Sequence, residues 1–387
     1  MSYSKRGAKK TIIYDYENGV IHTKGRESRA IITDKTNLNE YNQTSYKYSK
    51  YIPIPLLVSN PDDGFGGGFI LNARTFGYDY ENYKAAYIIK AFATTQGSGL
   101  LSLAVKKNIA RTNFFLTTKL DYGNFFPFYS FYGVGNNTVL LDSLEDEGFY
   151  KARYTGLILN GGITYHFFNR SGISLNGVGE ILSEGHSDQS FFDYFPSTGL
   201  KPKNAGGAEL KVDIDFRDSK AFTTRGIRFI LSHKSLMNNS KLFGKTNAEV
   251  SYYGTSKIGI PITLGIKAGT ERTYGDNIPY YHLASIGQSN HLRGFLQNRF
   301  SGVGVNYVNT DLRFHLGKLK SGFLPMYYGI NLFGDIGQIV RNNNFTEKKW
   351  HKGYGGGIYL TPINKEYVTL QFNLERSIEH SFLLRLA

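Results

Sequence analysis

The nine histidines, His22, His166, His186, His233, His282, His291, His315, His351 and His380, are the first residues to test for chemistry, because imidazole ligates metals and shuttles protons near neutral pH. They are scattered, with no His-Glu-x-x-His pair or other close ligand spacing among them. The chain has no Cys, which removes thiolate metal sites, disulfide frameworks and cysteine nucleophiles together and leaves the redox compartment undetermined. Asp62-Asp63 ahead of Gly64 reads as a turn before it reads as a metal loop. Gly66-Gly67-Gly68 opens a strand rather than a helix, so it lacks the helix N-terminus that lets a glycine loop cradle phosphate. A Ser/His or Asp/His pair on a sheet face stays open in principle, but no residue gives a positive sign of it. The expectation is a chain that is not an enzyme and needs no cofactor or metal.

A formal charge of +14 raises the question of nucleic acid, since clustered Lys and Arg neutralise phosphates. Apart from the stretch Lys5 to Lys10, the cations stand singly along alternating segments and no nucleic-acid module is recognisable. Inward-facing charges and contacts with anionic lipid account for the charge better. No run of about 18 apolar residues occurs, so a helical membrane span is excluded, whereas a barrel crosses with about 10 alternating residues.

The elements that must carry any site are strands. With 44 Gly, 29 Tyr and 28 Phe against a single Trp, the composition is strand-rich. Val368, Leu370, Phe372 and Leu374 alternate with Thr369, Gln371, Asn373 and Glu375. Leu210, Val212, Ile214 and Phe216 likewise oppose Glu209, Lys211, Asp213, Asp215 and Arg217. One such strand also fits a soluble sheet. Sixteen of them without an intervening helical period do not, and closure of the sheet removes the edges so many strands would create.

The period predicts strands at 45–58, 64–76, 82–95, 99–109, 112–122, 148–168, 171–184, 206–217, 223–236, 243–256, 259–272, 302–316, 323–338, 352–361, 366–376 and 379–387. The long connections 123–147, 185–205, 273–301 and 339–351 then fall on one side, and the turns 169–170, 218–222 and 257–258 on the other, as outer-membrane barrels require. Aromatics beside turns, namely Tyr78, Tyr80, Tyr83, Phe125 to Tyr132, Tyr327 and Tyr328, are either interfacial girdles or ordinary strand residues.

His291-Leu292-Arg293-Gly294-Phe295 lies in the long connection before the fifth strand from the end. It resembles the Val-Arg-Gly-Phe type motif of the Omp85 superfamily, carried on a sixth extracellular loop that folds back into the barrel, with Leu292 in place of Val. Asn309 to Phe314 resembles the acidic strand that follows, and Phe333-Gly334-Asp335-Ile336-Gly337 resembles the Phe-x-Asp-x-Gly strand after it. Asp311 shares a face with Asn309 and Arg313, and Asp335 with Asn331, so both carboxylates point into the lumen, as the resemblance requires. A planar Arg fork holds carboxylates bidentately, Gly294 permits a left-handed backbone, and Phe295 fills space against the wall.

Asp215 to Ser219 leading to Thr224-Arg225-Gly226 resembles the family's turn between the eighth and ninth strands. Asn60 to Gly64 and Phe131 to Thr138 resemble Bacteroidetes barrels that follow a periplasmic metallophosphoesterase-like domain. One departure is the terminus Phe382 to Ala387, where family barrels finish on an aromatic residue recognised during assembly.

The resemblance implies an all-β, 16-stranded antiparallel transmembrane barrel with an inward-folded sixth extracellular loop, located in the cell outer membrane. It spans residues 45–387, after an irregular segment at 1–44 that is a remnant of an upstream periplasmic domain or a bare N-terminus. Nothing in Met1 to Lys10 reads as an export signal, so the expectation is a fragment, with a genuine cytosolic start as the alternative. The implied function is insertion or translocation of protein across the outer membrane, or anchoring of the upstream domain. The partners are outer-membrane lipid and lipopolysaccharide, with client proteins or that domain, and no nucleic acid. A passive porin-like channel and a soluble β-rich binding protein are the alternatives. Pro53 and Pro55 remove ladder donors in the first strand, which suits either a weak seam or simple edge punctuation.

Overall fold

The structure is a computed structural model that describes residues 11–15, 28–32, 49–60, 64–76, 83–109, 112–124, 130–150, 154–168, 170–184, 204–238, 241–275, 278–288, 291–320, 325–340, 349–363, 369–380 and 383–386. Sixteen strands close into one antiparallel barrel. They are β1 (Lys50–Asn60), β2 (Gly64–Thr75), β3 (Ala85–Thr94), β4 (Gly99–Asn108), β5 (Phe114–Asn124), β6 (Tyr154–His166), β7 (Gly172–Glu184) and β8 (Ala205–Asp215). The second half comprises β9 (Gly226–Asn238), β10 (Lys241–Ser256), β11 (Ile262–Gly275), β12 (Gly304–Leu319), β13 (Met326–Val340), β14 (His351–Pro362), β15 (Leu370–Arg376) and β16 (Leu383–Leu386). Each pairs with its chain neighbour, and Leu386 opposite Ser59 closes the ring.

Period-two alternation becomes two chemically distinct faces. Outward-facing Leu101 and Leu103 on β4, Leu175 on β7, Phe229 and Leu231 on β9, and Leu332 on β13 are all exposed, Leu175 to 62%. A water-soluble monomer does not leave so wide an apolar surface bare, and here it recurs from β4 through β13, the form of a membrane-facing band. No helix among the described residues is long and apolar enough to cross a membrane; the strands do the crossing.

The inward positions are charged and paired across strands. Arg228 on β9 meets Asp213 on β8 at 2.6 Å, Lys245 on β10 meets Glu271 on β11 at 2.6 Å, and Lys119 meets Asp121 along β5 at 2.6 Å. Diagonal and same-strand neighbours on one face lie within reach of such long side chains.

The connections sort by rim. Residues 125–153, 185–204, 276–303 and 341–350 leave one rim, here the loop rim, while 167–171, 216–225 and 257–261 leave the opposite turn rim. The segment 276–303 is the sixth connection on the loop rim.

Three differences from expectation have physical causes. The sixth strand starts at Tyr154 rather than at 148, because Tyr150 packs back onto Tyr132 at 4.8 Å inside the third loop. For the same reason Phe131 and Tyr132 are not girdle residues: both are buried in loop clusters, with Tyr280 and Leu296 respectively. Within the stretch expected to be irregular, Thr11–Asp15 and Ser28–Ile32 form a two-stranded parallel pair. Tyr83 lies against the buried Phe115 ring at 5.7 Å, while Tyr328 is exposed on the outer face. Tyr78, Tyr80, Phe125 to Tyr129, Asp62 and Asp63 fall outside the described residues.

Candidate functional site in the lumen

The antiparallel register builds the floor of the site. Asn309 on β12 is opposite Asp335 on β13, and Asp335 is opposite Gly353 on β14. One step along, Asp311 is opposite Phe333, Phe333 opposite Gly355, and Gly355 opposite Glu375 on β15. All of these positions point inward, so two carboxylates, an aromatic ring and a third carboxylate lie side by side. At Gly353 the wall has a dent, since a Cβ there would sit 1.8 Å from the Arg293 carbonyl oxygen.

The sixth loop fills that dent. The Arg293 guanidinium donates through Nε and Nη2 to the two oxygens of Asp335, both at 2.7 Å, and through Nη1 to Asp311 at 2.8 Å. Its backbone N–H reaches Asp335 Oδ2 at 2.9 Å, and the next one, from Gly294, reaches Glu375 Oε2 at 3.0 Å. The guanidinium lies 3.9 Å above the Phe333 ring, where the π face attracts a cation. Burial works against the Arg293 charge, but Asp335 and then Asp311 outweigh it and hold the group above its ordinary pKa.

Gly294 has φ of +88°, and a Cβ on it would lie 2.5 Å from the Arg376 carbonyl oxygen; glycine is needed on both counts. Phe295 is fully buried in a cluster with Leu292, Ile286, Phe300, Val305, Tyr307 and Ile339. His291 stacks flat on Tyr307 at 3.7 Å, and Asn309 Nδ2 donates to the His291 carbonyl at 2.8 Å. The loop is not a passive strand of coil: Ala284–Ile286 pairs with Phe300–Gly302 as its own short hairpin.

The structure therefore brings Arg293, Gly294, Phe295, Asp311 and Asp335 into one constellation. Sequence reasoning did not assign Glu375 or Gly353 to it. Alternation placed Glu375 on the polar face of its strand, and the glycines at 353, 355, 356 and 357 were a visible sign of close backbone approach.

A second arginine in the same loop also went unassigned. Arg299 is almost wholly buried and donates through Nε and Nη2 to both oxygens of Glu379 in the eighth loop at 2.7 Å. It also donates to the Thr138 hydroxyl at 2.7 Å and the Thr138 carbonyl at 2.8 Å in the third loop. Asn136 of the third loop exchanges hydrogen bonds with the Ile339 backbone, donating at 2.7 Å and accepting at 2.8 Å. The loop rim is thus capped by loops tied to the pinned sixth loop. Among the described residues no group of three His, Cys, Asp or Glu could hold a metal ion.

No family model matches the chain, and no curated protein matches it. Solved structures do. BamA from Haemophilus ducreyi lacking POTRA domains 1-3 superposes with a TM-score of 0.61 at 10% identity, over 93% of this chain and 72% of that one. CdiB from Acinetobacter baumannii superposes with a TM-score of 0.54 at 11% identity, over 88% of this chain and 59% of that one. The chain shares their barrel fold. At this identity the likeness is one of fold, and what the barrel does must be argued from the lumen.

Proposed function

We propose that the chain is an outer-membrane barrel of Omp85 type that acts on polypeptide clients, inserting them into the membrane or moving them across it. The observation that carries this reading is the sixth loop, drawn into the lumen and clamped at Arg293 by Asp335 and Asp311. A passive channel gains nothing from a buried, three-carboxylate clamp that fills its own pore. Lipid hydrocarbon covers the apolar band, with lipopolysaccharide head groups above it on the loop rim. A client strand would have a thinly paired place in the wall to use. Among the described residues Leu386 opposite Ser59 is the register pair that joins β16 to β1, whereas β12 and β13 pair from Gly304 to Leu319 with one bulge between His315 and Gly317.

The test is reconstitution into lipid vesicles, followed by the folding rate of a small urea-unfolded outer-membrane barrel added from outside. Acceleration over protein-free vesicles, lost in Arg293→Ala, is the expected result. A chain that leaves the client rate unchanged while conducting ions steadily is a passive pore, and the proposal fails.

A further inference from the structure

The β8–β9 connection on the turn rim does not stay at the wall between the strands it joins. Near its start, the Arg217 and Asp218 carbonyls accept from Arg170, in the β6–β7 turn, at 2.9 and 3.0 Å. Further along, the Thr224 carbonyl accepts from Thr255 at the end of β10 at 2.7 Å, and the Thr223 carbonyl from Arg313 Nη1 on β12 at 2.9 Å. The Ala221 carbonyl accepts from Thr369, immediately before β15, at 3.3 Å. In a ring of sixteen strands β15 lies seven places from β8, close to the opposite side. A segment bonded at both places crosses the mouth.

Its apex is an aromatic plug. Phe222, 1% exposed, packs on Tyr359 of β14 at 4.9 Å and on the edge of His315 of β12 at 5.7 Å. The Arg313 guanidinium lies 5.2 Å from the Phe222 ring centre, so one side chain holds both the ring and the adjacent carbonyl. The strap is also knotted on itself: Asp218 Oδ1 accepts from the backbone N–H of Ser219 at 2.9 Å, Thr224 at 2.9 Å and Arg225 at 3.2 Å. Thr223 donates to the Ser219 carbonyl at 2.7 Å. A connection that merely joined two neighbouring strands would need none of the ties to β10, β12, β14 and the β15 entry.

We infer that residues 216–225 are a gate across the turn-rim mouth, so that the lumen is stoppered from below by this strap as it is from above by the sixth loop. Passage into the lumen then requires release of Phe222 from Tyr359 and of Thr223 from Arg313. The gate stands independently of client handling, because its readout is the movement of ions and a small reagent.

The experiment is planar-bilayer conductance of four proteins: the natural chain, a chain lacking the 284–302 hairpin, the strap variant Phe222→Ala with Arg313→Ala, and the combination. The expected result is conductance near the natural baseline for each single alteration and a pore-sized step for the combination. If the hairpin deletion alone conducts as fully as the combination, the strap is no gate. Heat-modifiable migration on a gel reports whether each variant has folded. Should the deletion fail to fold, a second measurement decides in the full-length chain. Ser232→Cys places a lone thiol on the lumen face of β9 in a protein with no other, and its labelling by a polymer-linked maleimide is timed with and without the strap substitutions. Faster labelling in the strap variant is expected; equal rates overturn the gate.

Discussion

Arg293→Ala removes three side-chain hydrogen bonds to two carboxylates and the stacking on Phe333. What it leaves behind sets the cost. The Asp335 side chain has 0% exposure, whereas that of Asp311 has 26%, so Asp335 is stranded while Asp311 turns toward water. Stranding one partner of a buried ion pair costs about 3–5 kcal/mol. Arg293→Lys keeps the charge but not the fork, and loses about 1.5–3 kcal/mol, the worth of a hydrogen bond to a charged group. Asp311→Asn, at the wetter end, costs about 1 kcal/mol. The assay is protease cleavage within the sixth loop of the folded barrel, under conditions where cleavage tracks the open population. At 1.4 kcal/mol per factor of ten, Arg293→Ala raises the cleavage rate roughly a hundredfold to three-thousandfold and Asp311→Asn about fivefold. Equal effects of Arg293→Ala and Asp311→Asn, or a change below about threefold for the former, would refute the claim that the fork on buried Asp335 holds the loop.

Gly353→Ala places a methyl group where the Arg293 carbonyl oxygen lies, 1.8 Å away, and the obstacle is backbone that no rotamer change can move aside. The barrel is expected to keep its heat-modifiable band while sixth-loop cleavage rises as far as in Arg293→Lys; an unchanged cleavage rate would show that the dent is not the seat of the loop. The strap carries a pH dependence through Asp218. Burial raises its pKa, but the Thr224 hydroxyl and the N–H groups of Thr224, Arg225 and Ser219 outweigh burial and hold the carboxyl below its ordinary range. The sign follows from linkage: a depressed folded pKa gives stability that is present above the unfolded value of about 3.9 and is lost as pH falls through the folded value. Conductance of the chain lacking the 284–302 hairpin should therefore rise only below about pH 4 with the natural strap and show no such step with Asp218→Ala; a rise already near neutrality would place the sensitive group elsewhere.

The barrel was legible in the sequence because lipid and lumen impose opposite chemistry on alternate residues of every strand, and Glu209 to Arg217 displays it without interruption. Legibility failed at strand ends, where an aromatic residue fits a membrane girdle and a loop core equally well. Phe131, Tyr132 and Tyr150 took the second role because the third loop has a folded sixth loop to pack on. The Arg293 constellation was legible through its motif and through the alternation that turned Asp311 and Asp335 inward. Arg299 was not, since its partners Glu379 and Thr138 lie 80 and 161 residues away and neither stands in a strand whose period would show which way it points. The strap was visible as Asp215 to Gly226, but only as a turn; its reach to Thr369 is a property of the closed ring.

The distribution of constraint within the barrel bears on how it works. The sixth loop is held by Arg293 below and Arg299 above, and the turn-rim connection is held by Arg313. The wall is not held uniformly. The strands from β9 to β14 pair over long registers, Gly226 with Tyr253 through to Asn238 with Lys241 between β9 and β10. Between β16 and β1 the register among the described residues is the Leu386–Ser59 pair. Pro53 and Pro55 stand at alternate positions of β1, so both missing N–H donors belong to the same edge of that strand, as edge prolines do. Opening at the sixth loop must break charge-assisted hydrogen bonds to the buried Asp335, which individually contribute about 1.5–3 kcal/mol. Opening at the seam breaks neutral ladder bonds contributing about 1 kcal/mol each. On the proposed function, a client strand is therefore admitted at the wall between β1 and β16 before anything passes down the lumen. A disulfide placed across β1 and β16 should then stop client folding in the vesicle assay while leaving the four conductance measurements as they were.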